Sequence, residues 1–203
     1  FLFSRGFIKT GLGKRIAYNL ISAFGSSSLR LAYALALSDL ILAPATPSNT
    51  ARVGGVIMPI TTSLAKAFGS EPQDGPRKIG SFLMQSIYQV NTITSAMFQT
   101  SMAGNTLVAA LALQSFGIGI TWGDWAMAAI VPGIIALIIM PYFIYKVYPP
   151  EIKDAREAQQ MIREELKGLG KISFQEWVML GVFILALVLW ATSQFTKLDA
   201  TTV

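Results

Sequence analysis

Cysteine and histidine are both absent from this 203-residue chain. Zinc and iron sites thereby lose their usual ligands, and Ser-His or Cys-His nucleophile pairs cannot be built within it. No disulfide reports on compartment. Charge is scarce as well. Only 13% of residues are charged against 53% hydrophobic, a balance too apolar for a soluble domain of this length. Residues 79–122 carry no charged side chain, and neither do residues 125–145 or 178–195. Each run is at least as long as the roughly 17–25 residues that cross a hydrocarbon core, and the first is about twice that. The chain reads as an all-α integral membrane protein. Its first methionine is Met58, no signal-peptide pattern is visible, and a piece of a longer protein is expected.

What is present is a cluster of helix breakers and small polar groups between two greasy arms. Ser48, Asn49 and Thr50 follow Pro44-Ala45-Thr46-Pro47 and precede Gly54-Gly55 and Pro59. In lipid, backbone leaves helical geometry only where it is buried in protein or lines a cavity. The freed N–H and C=O groups at such a break are suited to a ligand. Residues 29–68 hold two arms of about 15 residues, too short to span separately, so a re-entrant helical hairpin with a Ser-Asn-Thr tip is expected. Residues 79–117 should form a broken transmembrane helix, because Thr92, Thr94, Ser95, Gln99, Thr100, Ser101, Gly104, Asn105 and Thr106 make its middle too polar for lipid.

Around these lie an amphipathic surface helix (1–25), with Phe3, Phe7, Ile8, Leu12, Ile16 and Leu20 set against Arg5, Lys9, Lys14 and Arg15. A transmembrane helix is expected at 124–148, with Pro132 and Pro141 as candidate kinks. A charged cytoplasmic surface helix follows at 151–176, and a further transmembrane helix at 177–196. This layout puts Lys9, Lys14, Arg15, Lys66, Arg77, Lys78, Lys146, Lys153, Arg156, Arg163, Lys167 and Lys171 on one face, cytoplasmic by the positive-inside rule. Only Lys197 is left to the far face.

Ser48, Asn49 and Thr50 offer two hydroxyls and an amide beside a helix N-terminus, which favours carboxylates and phosphates; the plainer alternative is a capped turn. Thr100, Ser101, Gly104 and Asn105 line a wall or simply bond back to helix carbonyls. Arg52 pairs with Asp39, gives fixed positive charge to an anionic substrate, or snorkels to the interface.

The segment Pro47-Ser48-Asn49-Thr50-Ala51-Arg52 with Gly54-Gly55 and Pro59-Ile60 resembles the first Ser-Asn-Thr signature of the divalent anion:sodium symporter family. Residues 4–13 (SRGFIKTGLG) resemble the surface helix before it, and Met102-Ala103-Gly104-Asn105 resembles the broken helix facing the tip. Thr-Ala-Arg after Ser-Asn is similar to the branch of bacterial citrate, tartrate and succinate exchangers and the plastid 2-oxoglutarate/malate translocator. The resemblance implies an inverted-repeat secondary transporter, of which this is a fragment: the N-terminal half plus the start of the second. It also implies an elevator-type cycle, a second Ser-Asn-Thr hairpin elsewhere, and a homodimer of the full-length protein. No enzyme activity is expected. The implied function is exchange of di- or tricarboxylates such as malate, succinate, 2-oxoglutarate, citrate or tartrate. The implied setting is the bacterial inner membrane, or alternatively the plastid inner envelope. Substrate-binding candidates are Ser48, Asn49, Thr50, Arg52, Thr100, Ser101, Gly104 and Asn105. Sodium is the candidate coupling ion, near Ser48, Asn49, Ala103 and Gly104. A serine that helps hold sodium in the sodium-coupled carriers is matched here by Pro44, which counts against sodium coupling.

Alternatives are a sodium-coupled dicarboxylate symporter and, more remotely, an arsenite or sodium/proton antiporter of the same wider fold class. An antiporter relay needs intramembrane acids, and Asp39 stands alone. An intramembrane hydrolase lacks both a histidine and a carboxylate pair. A purely structural subunit leaves the polar tip unexplained.

Overall fold

The computed structural model describes residues 2–192, with side chains from Arg5 onward. Residues 193–196 of the last expected span, and Lys197, lie outside the described residues. Among the described residues there is no β-strand, only an isolated bridge between Ser27 and Asp154. Three helices are long and apolar enough to cross a membrane: 28–45, 122–147 and 174–191. This is an all-α membrane protein.

The first 25 residues form two helices, α1 (Leu2–Thr10) and α2 (Leu12–Phe24). They part at Gly11, whose φ of +78° is a left-handed conformation that side-chain-bearing residues avoid. α2 buries Ala17, Tyr18 and Ile21. α3 (Ser28–Leu42) starts at Ser27, whose side chain accepts from Arg30 N. It gives way to a 3₁₀ turn at Ala43–Ala45. The chain re-enters helix as α4 (Asn49–Arg52), widens to a π-helical turn at Val53–Ile57 and continues as α5 (Met58–Ala67). The π turn falls on exposed Gly54 and Gly55; a Cβ on Gly55 would come within 2.5 Å of Ile8 Cδ1, so α1 lies against bare backbone there.

One layer of loops collects many chain ends. Ser28 N donates to Lys153 O (3.0 Å), Ala155 N to Ser26 O (3.2 Å), Glu151 N to Arg77 O (3.1 Å) and Ile152 N to Lys78 O (2.9 Å). Ser28 Oγ also donates to Ile152 O. Ser70 Oγ donates to Gly75 O at 2.8 Å and accepts from Gly80 N at 2.9 Å. The path from Ser28 to Lys78 thus leaves this layer and comes back to it. α3, at 15 residues, advances about 22 Å before the first break.

α6 (Gly80–Met97) rises from the same layer. It is 18 residues long but carries Gln85, Gln89 and Asn91 with several hydroxyls, so it is not among the three apolar spans. Past Phe98 (φ −127°, ψ 140°) comes a 3₁₀ turn at Gln99–Ser101, then extended Met102, then α7 (Ala103–Phe116). Left-handed Gly117 ends α7. α8 (Trp122–Val147) begins with a capping box of Thr121 and Asp124 and runs helical through both Pro132 and Pro141. α9 (Arg156–Gly168) is shorter than the expected 151–176 helix and rests on α2, with Gln159 Nε2 donating to Ser22 O at 2.8 Å. α10 (Phe174–Ala191) opens with a capping box of Ser173 and Glu176.

The main apolar core joins Leu31, Leu35, Ile57, Leu64, Phe82, Leu83 and Ile162. α3 is mostly inside, while α8 turns Val131, Ile135 and Ile138 outward, a surface suited to lipid or to further protein.

Candidate functional site

The two helix breaks meet. Thr100 Oγ1, in the second, donates to Pro44 O in the first, and Trp122 Nε1 donates to Thr100 Oγ1 at 3.0 Å. Trp122 also stacks on Phe98, with ring centroids 5.8 Å apart. A break frees carbonyls that cannot be left bare away from water. Proline at 44 and extended backbone at Thr46 and Ser48 keep α3 from continuing.

Arg52 bridges both breaks. It is 1% exposed, and its Nε donates to Asp39 Oδ1 at 2.8 Å. Nη1 reaches Thr46 O and Ser101 O, each at 3.3 Å. Nη2 reaches Thr94 Oγ1 at 3.2 Å and Ser95 Oγ at 3.0 Å. A guanidinium has five N–H donors, and these five bonds employ them all. Asp39 is held in turn, its Oδ2 accepting from Thr94 Oγ1 and from Asn91 Nδ2 (3.5 Å). A buried ion pair persists only with such extra bonds.

Of the three readings of Arg52, the geometry is that of the ion pair with Asp39. The expectation that it faces substrate meets a side chain whose donors are already engaged inside the protein. Thr100, Ser101 and Asn105 are likewise buried. Ser101 Oγ lies 2.6 Å from Ser95 O and 2.7 Å from Phe98 O, with its single proton shared between them. Asn105 Nδ2 donates to the same two carbonyls, at 2.7 and 2.9 Å. These side chains close the end of α6, where the broken helix leaves few backbone N–H groups for its last carbonyls; Phe98 O also accepts from Ser101 N at 3.1 Å.

The tip is different. Ser48 caps α4, accepting from Ala51 N at 3.2 Å. Asn49 Oδ1 accepts from Thr50 N at 2.9 Å. Asn49 is half-buried and Thr50 exposed, as is Ala103, with Gly104 half-buried. α7 starts at Ala103 with no side-chain cap from Met102. A Cβ on Gly104 would approach Met102 Cε to 3.2 Å. Helix starts direct backbone N–H groups and partial positive charge outward. Thr50 N and, at 3.5 Å, Thr50 Oγ1 both turn to Asn49 Oδ1, and the groups left to meet a ligand are the Asn49 amide nitrogen and the first N–H groups of α7.

In the sequence Thr94 and Ser95 stand only as part of a polar run, and Asn91 carries no signal of its own. One signal was available: between Arg30 and Lys66 the chain has a single acid, Asp39, and a single base, Arg52. Nothing in the residue order points to Trp122 as the partner of Thr100. Among the described residues no group of three or more acidic residues could hold a metal.

A family model described as the sodium:sulfate symporter transmembrane region matches residues 1–203. The chain is 54% identical over 203 residues to a Bacillus subtilis (strain 168) protein provisionally named malate transporter YflS, covering all of this chain and 42% of that protein. It is 46% identical to spinach (Spinacia oleracea) chloroplastic dicarboxylate transporter 1, covering all of this chain and 36% of the relative. It is 39% identical over 191 residues to the L-tartrate/succinate antiporter of Escherichia coli (strain UTI89 / UPEC), covering 94% of this chain and 39% of the relative. The chain spans less than half the length of these curated relatives.

Proposed function

We propose, for a chain that belongs to the sodium:sulfate symporter family, that it supplies one half of the substrate site of a di- or tricarboxylate exchanger. Ser48, Asn49 and Thr50 grip one carboxylate through hydroxyl, amide and backbone donors. The N–H groups of Ala103 and Gly104 face it from the second break. Arg52, Thr100, Ser101 and Asn105 hold the two breaks in place behind these groups. The full-length protein completes the site with a second such half, works as a homodimer in the bilayer, and carries substrate by an elevator-type motion of the hairpin body. Residues 29–68 serve as a re-entrant hairpin in that body.

The observation that carries this reading is the meeting of the two breaks, with Asn49 half-buried and Thr50 exposed at the tip and the carbonyls behind them satisfied. The names of the relatives support a carboxylate substrate. A competing reading, sodium symport with the ion near Ser48, Asn49, Ala103 and Gly104, draws on the family's description.

The test is counterflow of labelled malate, citrate and 2-oxoglutarate into proteoliposomes of the full-length protein, with and without sodium. Exchange of at least one acid in sodium-free buffer, abolished by Asn49→Ala, is expected. Absence of carboxylate counterflow in either buffer rules the reading out, and strict sodium dependence favours symport.

A further inference from the structure

Arg30 stands at the mouth of a groove of about 540 Å3, lined by Ala23 and Phe24 at the end of α2 and by Arg30, Tyr33, Ala34 and Leu37 of α3. It is the single charged group there. Its Nη1 donates to Ser26 Oγ at 3.1 Å. Among the described residues no carboxylate pairs with it, and its side chain makes no second bond. Most of the five N–H donors of this guanidinium are therefore free, whereas those of Arg15 and Arg52 are taken by protein oxygens. Asp154, whose backbone bridges Ser27, has its own carboxylate held by Arg156 at 3.1 Å.

The groove also has a direction. Ser28 is fastened into the loop layer through its N–H and its hydroxyl, and α3 leaves that layer as the first of the three apolar spans. Leu37 lies about 10 Å further along the helix than Arg30. The cation is thus at headgroup depth, beside the exposed ring of Phe24, and exposed Leu37 lies where acyl chains run. Tyr33, the other polar wall residue, turns its hydroxyl to Ile138 O of α8 at 2.6 Å. The deeper wall therefore offers only apolar surface.

We propose that this groove is a binding site for an anionic phospholipid. The free donors of Arg30 hold the phosphate, and one acyl chain passes Phe24 and lies along Ala34 and Leu37. The planar fork of an arginine matches two phosphate oxygens at once. Basic loops face the leaflet that holds anionic lipid, and the loop layer here includes Arg77, Lys78 and Lys153. A lipid seated in the groove braces the corner between α2 and α3, the root of the first arm. Its binding is independent of what the protein carries.

The test uses the full-length protein, stripped of lipid in detergent and supplemented with phosphatidylglycerol, phosphatidylcholine of the same chains, or glycerol phosphate. Retained lipid is counted by native mass spectrometry. Thermal midpoints are read alongside, since a ligand of the folded state raises the midpoint. Wild type is expected to melt higher with phosphatidylglycerol than with phosphatidylcholine, and to ignore glycerol phosphate. Arg30→Gln should weaken retention of phosphatidylglycerol about fivefold and erase the difference between the two lipids. Leu37→Ser, which keeps the cation and spoils the apolar wall, should also weaken retention. Lys167→Gln, which removes an exposed basic residue of α9, should change nothing.

Equal wild-type midpoints in the two lipids overturn the proposal. A response to glycerol phosphate as large as that to the lipid overturns it too, because the site would then take free phosphate. So does an Arg30→Gln protein that keeps the lipid as wild type does, or a Lys167→Gln protein that loses as much, the mark of diffuse surface charge. If Arg30→Gln is not recovered folded, Leu37→Ser decides, and undiminished retention in that variant overturns the site.

Discussion

Arg52 with Asp39 and Arg15 with Glu176 are buried ion pairs of similar length, 2.8 and 2.6 Å from Nε to the carboxylate, yet their remaining bonds differ in kind. The side chains of the first pair are 0% and 2% exposed, and the other residues that Arg52 bonds are themselves buried. The second pair lies where exposed loop meets helix. Arg15 Nη1 donates to Gly170 O at 3.0 Å and Nη2 to Leu169 O and Lys171 O at 3.3 and 3.4 Å, all in an exposed stretch. Glu176 also accepts from Ser173 N at 2.7 Å as part of the α10 capping box. Away from water a charge has to be answered by protein groups, so removing either member of the Arg52 pair strands the other. Near loops, solvent can take over part of the lost bonding.

The largest expected effect breaks the first pair on one side. Asp39→Asn or Arg52→Met should cost about 3–5 kcal/mol, read as a fall in thermal midpoint of the full-length protein in detergent. The double variant should melt closer to wild type than either single one. Equal losses in all three would show that the charges are not coupled. Next comes Glu176→Gln, which weakens the Arg15 pair and the capping box together and should cost about 1–3 kcal/mol. A loss as large as that of Asp39→Asn would erase the contrast between dry and loop-side pairs. Thr100→Val removes the donor to Pro44 O and the acceptor for Trp122 Nε1 and should cost about 1–2 kcal/mol. Because it loosens the meeting of the breaks, it should slow counterflow more than Glu176→Gln does. The smallest effect belongs to the exposed pair Lys14–Glu165, 3.8 Å apart with side chains 46% and 55% exposed. Lys14→Gln should shift stability by no more than about 0.5 kcal/mol.

The same contrast explains what could be read from residues alone. Both breaks were legible, because Pro44 and Pro47 flanked by Thr46, Ser48, Asn49 and Thr50, and the dense hydroxyl run after Thr92, put too many polar groups together for a lipid-facing helix. The partner of Arg52 was legible as an option, since one acid and one base stand alone in that stretch. The partner of Arg15 was not, since 161 residues separate it from Glu176 and Lys9, Lys14 and Arg15 look alike as the basic edge of an amphipathic helix. The division of labour around the second break was also hidden. Ser, Thr and Asn serve equally to bind a ligand and to satisfy a carbonyl, and only the direction of each side chain tells them apart. The split of the first helix at Gly11 was foreshadowed by the Gly11 and Gly13 pair. The unbroken passage of α8 through Pro132 and Pro141 was not, because a candidate kink in sequence need not interrupt the helix.

The widened turn at Val53–Ile57 sets the angular phase of everything after it. An i→i+5 turn holds one residue more than an α-helical turn would, and one residue is worth about 100° of rotation. Ile57, Ile60, Thr61 and Leu64 point inward because the wide turn takes up that residue without adding rotation. Tightened to an ordinary α-helical turn with no residue lost, the arm would swing this whole inner face about 100° toward the outside. Deleting Gly54 together with the tightening keeps the phase, so the spacing from Arg52 to Ile57 can give up one residue, and the width of the turn is as much a determinant of the fold as the residues themselves.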